Sequence, residues 1–229
     1  MSNDWDVLFD WIKKLGITLS SDKLEKFHAF HQLLLDWNQK INLISRQDVN
    51  RIVTYHFIDS ICSVSEIPNN SLVCDLGTGA GLPGIPIKII RDDITLYLVE
   101  SIKKKAYFLS EAIKGLGLKN IFVLNQRAET IQNIKFDIIL VRLFGKISDV
   151  LPVVSNLLSP NGKVIFYKVE GVSPPQFHGS GTLDKEIEQA KKVASKHRLE
   201  LKSVVDIQLP ITEIRRKLVI YKLATDLHG

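Results

Sequence analysis

Apolar residues recur every three or four positions through roughly the first 65 residues, the period of helices with one buried side. Val7, Leu8, Trp11, Ile12 and Leu15 form one stripe that Gly16 can end. Asp22 and Glu25 have the form of a capping box opening a second helix, whose stripe runs through Leu24, Phe27, Phe30, Leu34 and Trp37. Ile52, Val53, Phe57, Ile61 and Val64 predict a third helix from Asp48 to about Ser65, and Pro68-Asn69-Asn70 closes it.

From Ser71 the period changes. Short β-rich runs at Leu72 to Leu76, Thr95 to Glu100, Ile121 to Asn125, Phe136 to Val141 and Lys163 to Lys168 alternate with helix-length stretches at Gly84 to Arg91, Ile102 to Leu116 and Ile147 to Leu158. That alternation predicts a parallel sheet with helices on both faces. After a Gly/Pro/Ser-rich stretch, Val172 to Thr182, comes a helix carrying Leu183, Ile187, Ala190 and Val193. Two strands follow, Ser203 to Leu209 and Lys217 to Leu223, joined by a segment too short for a helical crossover and therefore antiparallel. The expected organisation is a helical region over 1–65 and an α/β domain over 66–229.

Composition narrows the class. With 45% hydrophobic residues and only 13 Gly and 8 Pro in 229, the chain is neither disordered nor collagenous. Its net charge of +5 suits an anionic partner, although a charged fraction of 24% is ordinary. Cys62 and Cys74 are too few for a disulfide scaffold or a cysteine-rich zinc site and stand in apolar surroundings, as reduced core thiols would. Acidic residues near the N-terminus and the lack of a long apolar run predict a cytoplasmic protein with no membrane and no metal partner.

The chemistry concentrates at Asp75-Leu76-Gly77-Thr78-Gly79-Ala80-Gly81-Leu82-Pro83-Gly84, a strand running into a glycine-rich turn. Two registers fit: Gly79, Gly81 and Gly84 match the dinucleotide pattern G-x-G-x-x-G, while Asp75, Gly77, Gly79 and Gly81 match D-x-G-x-G-x-G. Charge separates them. Asp75 at the strand end would repel a pyrophosphate and attract a sulfonium or ammonium, by roughly 4 kcal/mol at about 4 Å and an effective dielectric near 20. S-adenosylmethionine is the favoured ligand. Glu100 ends the second strand, where a carboxylate accepts ribose hydroxyls, and Gln126-Arg127-Ala128-Glu129 follows the third, where an adenine would lie.

Arg142 and Lys168 end the fourth and fifth strands and are expected to point into the crevice together, with an anionic substrate as counter-charge. RNA phosphates, or the O6 and N7 edge of guanine, meet that requirement. No Asn-Pro-Pro-aromatic run follows the fourth strand, and neither cysteine stands at a strand end. A ring nitrogen with a free lone pair needs neither device, since alignment alone can save roughly 7 to 11 kcal/mol. His56, Asp59 and Ser60 share one helix face, either as a lid on the crevice or as a buried hydrogen-bonded group. Lys103-Lys104-Lys105 reads as a solvated helix face or an RNA contact, and Arg215-Arg216-Lys217 lies beside the antiparallel strands.

Trp37-Asn38, Asn42-Leu43-Ile44-Ser45, His56-Phe57-Ile58-Asp59-Ser60 and the glycine loop with its Leu82-Pro83-Gly84-Ile85-Pro86 extension resemble the bacterial small-subunit ribosomal RNA methyltransferase G family, also called the glucose-inhibited division protein B family. The resemblance runs from about residue 5 to residue 223. It implies a class I S-adenosylmethionine-dependent methyltransferase, with a Rossmann-like seven-stranded sheet whose last strand is antiparallel and an N-terminal helical extension. It further implies methyl transfer to guanine N7 in 16S ribosomal RNA, free or in the 30S subunit; the expected assembly state is a monomer. Gly77, Leu82, Ala128, Glu129 and Arg142 take the family's cofactor-site positions, and Lys168 and Arg216 its other basic positions. The chain departs from the family at Val141-Arg142-Leu143, Gly79-Ala80-Gly81 and Tyr167-Lys168-Val169, keeping the charged residues in each case. A methyltransferase for another RNA or a small molecule, and a non-catalytic dinucleotide module, remain as alternatives.

Overall fold

The computed structural model describes residues 3–169, 182–210 and 215–224. Helix α1 (Asp4–Lys14) starts at a capping box, Asn3 with Asp6, and buries Leu8 and Ile12. Helix α2 (Ser21–Asn38) buries Phe27, Phe30 and Leu34. Its cap is Ser20, whose hydroxyl accepts from the Lys23 amide, and not the expected Asp22, which pairs one turn on with Lys26. The Asn38 side chain accepts from the Leu43 and Ile44 amides, both at 2.9 Å, and so fixes the turn that follows.

The third helix is not the continuous one expected. A 3-10 turn (Val49–Arg51) leads into a π-helical segment (Ile52–Phe57), a short α3 (Ile58–Ile61) and a second 3-10 turn (Val64–Glu66). His56, Phe57, Ile58, Asp59, Ser60 and Ile61 are all buried, so polar and apolar side chains alike need partners, and a regular helix with one wet face cannot supply them.

The strands are β1 (Leu72–Leu76), β2 (Thr95–Val99), β3 (Ile121–Leu124), β4 (Phe136–Arg142), β5 (Leu158–Val169), β6 (Leu199–Gln208) and β7 (Arg215–Leu223). They form one sheet in the order β3-β2-β1-β4-β5-β7-β6, with β7 antiparallel to both its neighbours. The connecting helices are α4 (Gly84–Ile90), α5 (Lys103–Gly115), α6 (Ile147–Ser155) and α7 (Leu183–Lys196). β5 begins five residues before the expected start, at Leu158, with a register shift opposite Phe136 and Ile138. The stretch 172–182 lies outside the described residues except for Thr182, which caps α7.

Alternation along the strands sends side chains to two cores. On one face Val73, Leu140, Ile165 and Ile220 pack with α4, α5 and the helical region, including Leu8, Phe27, Phe30 and Phe57. On the other, Cys74, Ile139, Val141, Phe166 and Tyr221 pack against Val150 and Leu151 of α6 and Ile187 and Ala190 of α7. The helical region thus shares a core with the sheet. Burial holds both cysteine thiols well above their ordinary range, as inert core residues. Strand order reverses between β1 and β4, so a crevice opens outside their carboxyl ends.

Candidate active site

Asp75 lies at that switch point and is 1% exposed. Its Oδ2 accepts from the Gly84 amide at 2.8 Å and from the Thr78 hydroxyl at 2.5 Å. Its Oδ1 is buried, with no hydrogen-bond donor among the described residues. Burial pushes the carboxyl up to about 6, against the opposing pull of Thr78, Gly84 and Arg142. Gly84 must lack a side chain, because a Cβ there would stand 2.7 Å from Asp75 Oδ2 and 2.6 Å from Leu98.

The loop is tied to β2 and β3. The Gly77 and Thr78 amides donate to the Val99 carbonyl, and the Gly79 amide donates to Glu100 Oε2 at 3.1 Å. Glu100 Oε1 accepts from Ile102 at 2.7 Å, and Asn125 Nδ2 donates to the Glu100 carbonyl at 2.8 Å. Each carboxylate oxygen keeps a second acceptor site. Gly81 and Leu82 continue the turn, Leu82 buried. Ala128 is buried at the start of a 3-10 turn (Ala128–Thr130) beyond β3, and Glu129 is exposed there.

Arg142 and Lys168 do not point to the same side of the sheet as expected, whereas Arg216 lies in the antiparallel pair as expected. Arg142 stands opposite Tyr167 in the register, and Arg216 opposite Val169, so Arg142, Tyr167 and Arg216 share the face that carries the helical region. Lys168, one residue out of phase, faces the other side, because a single step along a strand reverses the side chain. Each cation already has a carboxylate beside it, with the one charge of Asp59 shared between two guanidinium groups. Asp59, fully buried, pairs with Arg142 Nε at 3.1 Å and with Arg216 Nε at 2.5 Å. Lys168 Nζ lies 2.7 Å from Glu186 of α7 and donates to the Gly145 carbonyl at 3.1 Å, while Glu186 also accepts from the Ile147 amide.

Arg142 also donates to Ser60 Oγ and, at 2.6 Å, to His56 Nδ1. An arginine can only donate, so Nδ1 accepts and the imidazole proton rests on Nε2. Burial first, and the Arg142 charge second, depress His56 to about 3. Tyr167 completes the junction, its hydroxyl 2.5 Å from Ser63 Oγ and 3.0 Å from the Ser60 carbonyl. Of the two readings of His56, Asp59 and Ser60, the buried hydrogen-bonded one holds.

One residue at this edge had no sequence assignment. Phe144, two past Arg142, lies against Gly77 so closely that a Cβ there would be 2.1 Å from its ring. Its signal in the sequence is an aromatic just after the fourth strand, outside any Asn-Pro-Pro run.

The family profile described as rRNA small subunit methyltransferase G matches residues 23–218. The ribosomal RNA small subunit methyltransferase G of Desulforamulus reducens is 35% identical over 217 residues, covering 92% of this chain and 86% of the relative. The chain belongs to this family. A relative of the same name from Acetivibrio thermocellus is 32% identical over 223 residues, 94% of this chain and 87% of its own. Among solved structures, M. jannaschii TYW2 in complex with AdoMet superposes with a TM-score of 0.58 at 16% identity, covering 82% of this chain and 80% of its own. A SAM dependent methyltransferase from Aquifex aeolicus gives 0.57 at 15%, covering 78% of this chain and 96% of its own. At those identities the likeness is one of fold. It agrees with the expected class I methyltransferase sheet, and the family membership bears out the resemblance read from the sequence.

For this methyltransferase G family member the loop gives a graded prediction. Gly77 and Gly79 both have positive φ, +70° and +57°, and alanine at either should cost about 1–2 kcal/mol from backbone strain. Only at Gly77 does the new Cβ meet a ring, whereas at Gly79 its nearest neighbour is the Gly77 carbonyl oxygen at 3.9 Å, an ordinary contact. Thermal unfolding should therefore show Gly77→Ala as the more damaging by about 1 kcal/mol, and a Phe144→Ala background should erase the difference. Equal losses in the wild-type background would contradict this contact.

Proposed function

We propose that the protein transfers a methyl group from S-adenosylmethionine to N7 of a guanine in 16S ribosomal RNA. The single observation that carries the reading is Asp75: a buried carboxylate with one satisfied and one open oxygen, at the β1 switch point beside a glycine loop. Such a group favours a cation and opposes a pyrophosphate, which weighs against the dinucleotide alternative. Family membership supports the substrate, since the relatives are named for the small-subunit rRNA.

The residues fit the cofactor. Asp75 Oδ1 lacks a donor that a cationic ligand group supplies, and Glu100, held by the Gly79 and Ile102 amides, keeps lone pairs for ribose hydroxyls. Leu82, Ala128, Glu129 and Arg142 complete the proposed cofactor site, with Arg216 as a proposed basic group on the Arg142 face and Lys168 as one on the opposite face. When bound, S-adenosylmethionine supplies a methyl carbon on a positive sulfur, which a lone-pair nitrogen accepts as the carbon–sulfur pair returns to sulfur. The protein's part is orientation: the amides of the loop and the Glu100 carboxylate fix position, and no side chain need remove a proton. His56, held neutral by burial and Arg142, serves as an acceptor for that arginine.

The same reading gives a cytoplasmic monomer acting on 16S RNA or the 30S subunit. Among the described residues no helix is long and apolar enough to cross a membrane and no cluster of metal ligands occurs. Mapping 16S RNA from a deletion strain by primer extension and mass spectrometry should show one guanine N7 methyl missing. Persistence of every such methyl would overturn the assignment. Transfer by purified protein to naked 16S RNA and to 30S particles, side by side, then distinguishes the two substrates.

A further inference from the structure

With Arg142 and Arg216 both engaged by the single buried carboxylate of Asp59, and Lys168 paired with Glu186, the exposed group best placed to meet a nucleobase at this edge is an aromatic ring. Phe144 is 39% exposed, and its neighbour Leu143 is 64% exposed. Neither arrangement is what a simple exit from β4 would produce. Leu143 adopts φ +56°, which disfavours a side chain of its shape, and Gly145 adopts φ +115°, which only glycine tolerates well. The turn is held in that form from both ends. Asp59 pins Arg142 on one side, and on the other Lys168 holds the Gly145 carbonyl while Glu186 holds the Ile147 amide. The backbone is thus fixed so as to keep a phenyl ring in the open, in contact with the first glycine of the loop that Asp75 and Glu100 frame.

We infer that Phe144 is the binding site for the target purine, a platform on which the guanine base stacks beside the glycine loop. The inference rests on the function proposed above and adds the residue that holds the substrate base. An aromatic face suits any purine, and stacking is the usual way in which unpaired bases are gripped. It also fits this reaction in particular. Methylation at N7 leaves the purine with a positive charge, and a π face attracts a cation more than a neutral ring. Phe144 therefore favours the reacting base over the resting one, and its removal lowers kcat as well as raising KM.

The test uses full-length protein with Phe144→Ala, Phe144→Leu and Phe144→Trp. Calorimetry measures S-adenosylmethionine binding, and steady-state methylation is measured on 30S particles and on 16S RNA. The Ala and Leu variants should bind S-adenosylmethionine within about twofold of wild type yet lose on the order of 5- to 150-fold in kcat/KM, the range a base–aromatic stack is worth. Trp should restore methylation to within a few-fold of wild type. Wild-type activity in Phe144→Leu would overturn the inference, since the ring would then only fill space over Gly77. So would a loss of cofactor affinity in Phe144→Ala matching its loss of activity. A wild-type protein that binds S-adenosylmethionine and methylates neither RNA overturns the functional reading itself, and with it the platform. The Leu and Ala results overturn the platform alone.

Discussion

Asp59→Ala should destabilise the protein by about 3–5 kcal/mol, because it leaves two buried guanidinium groups without their counter-ion. For a chain of this size that corresponds to a fall in Tm of roughly 6–20 °C. The loss comes from stranding Arg142 and Arg216, and an apolar replacement of the whole group should recover much of it. Asp59→Leu combined with Arg142→Met and Arg216→Met should therefore melt well above Asp59→Ala, although it should not methylate. Differential scanning calorimetry decides the matter. A drop of less than about 2 °C in Asp59→Ala would mean that the two arginines find other partners at little cost, against the usual penalty for an unpaired buried charge.

The second large effect is at Asp75. Raising its carboxyl from 3.8 to about 6 means that the folded, empty protein gives up roughly 3 kcal/mol when this group ionises. The sign follows from the direction of the shift. The folded state holds the proton more tightly than the unfolded chain, so this contribution is present below about pH 4 and is lost as pH rises through about 6. A bound cation reverses that penalty. S-adenosylmethionine affinity should accordingly fall as pH is lowered through about 6, approaching a factor of ten per pH unit below it. Asp75→Asn should bind about 10- to 150-fold more weakly at pH 8, the range of a lost charged hydrogen bond, and should show no such pH dependence. It should also melt no lower than wild type at pH 8, since a buried charge has been removed. Calorimetric titrations at pH 5, 6, 7 and 8 test all three statements. Equal pH dependence in wild type and variant would show that another group titrates.

The sheet was legible because each β-rich run was bounded by a helical stretch of the right length, and the antiparallel pair because its connector was short. What escaped was register. Arg142 and Lys168 both end strands, and nothing in the local sequence shows that Arg142 pairs with Tyr167 and so shares its face, leaving Lys168 on the reverse. The early start of β5 and the irregularity opposite Phe136 and Ile138 set that phase. Asp59 was recognisable as sharing a face with His56 and Ser60, but its partner Arg216 lies 157 residues away and no spacing rule joins them. The proximity of Asp75, Gly77, Gly79 and Glu100 was legible because they lie within one strand-loop-helix-strand unit, where the Gly79 amide reaches Glu100. Phe144 was not legible, since its meaning comes from the glycine it touches across the sheet.

The anchoring of the turn after β4 also bounds its travel. Arg142 is fastened to Asp59 and the Gly145 carbonyl to Lys168, which leaves Leu143 and Phe144 as the slack between two fixed points. Two residues reach at most about 7 Å fully extended. The ring cannot swing out to search for its base, so the RNA has to carry an already unstacked nucleotide the whole way in. Discrimination among sites then falls first on which loops of the RNA can present a base that far from the strand, before any contact of the protein with that base's edge.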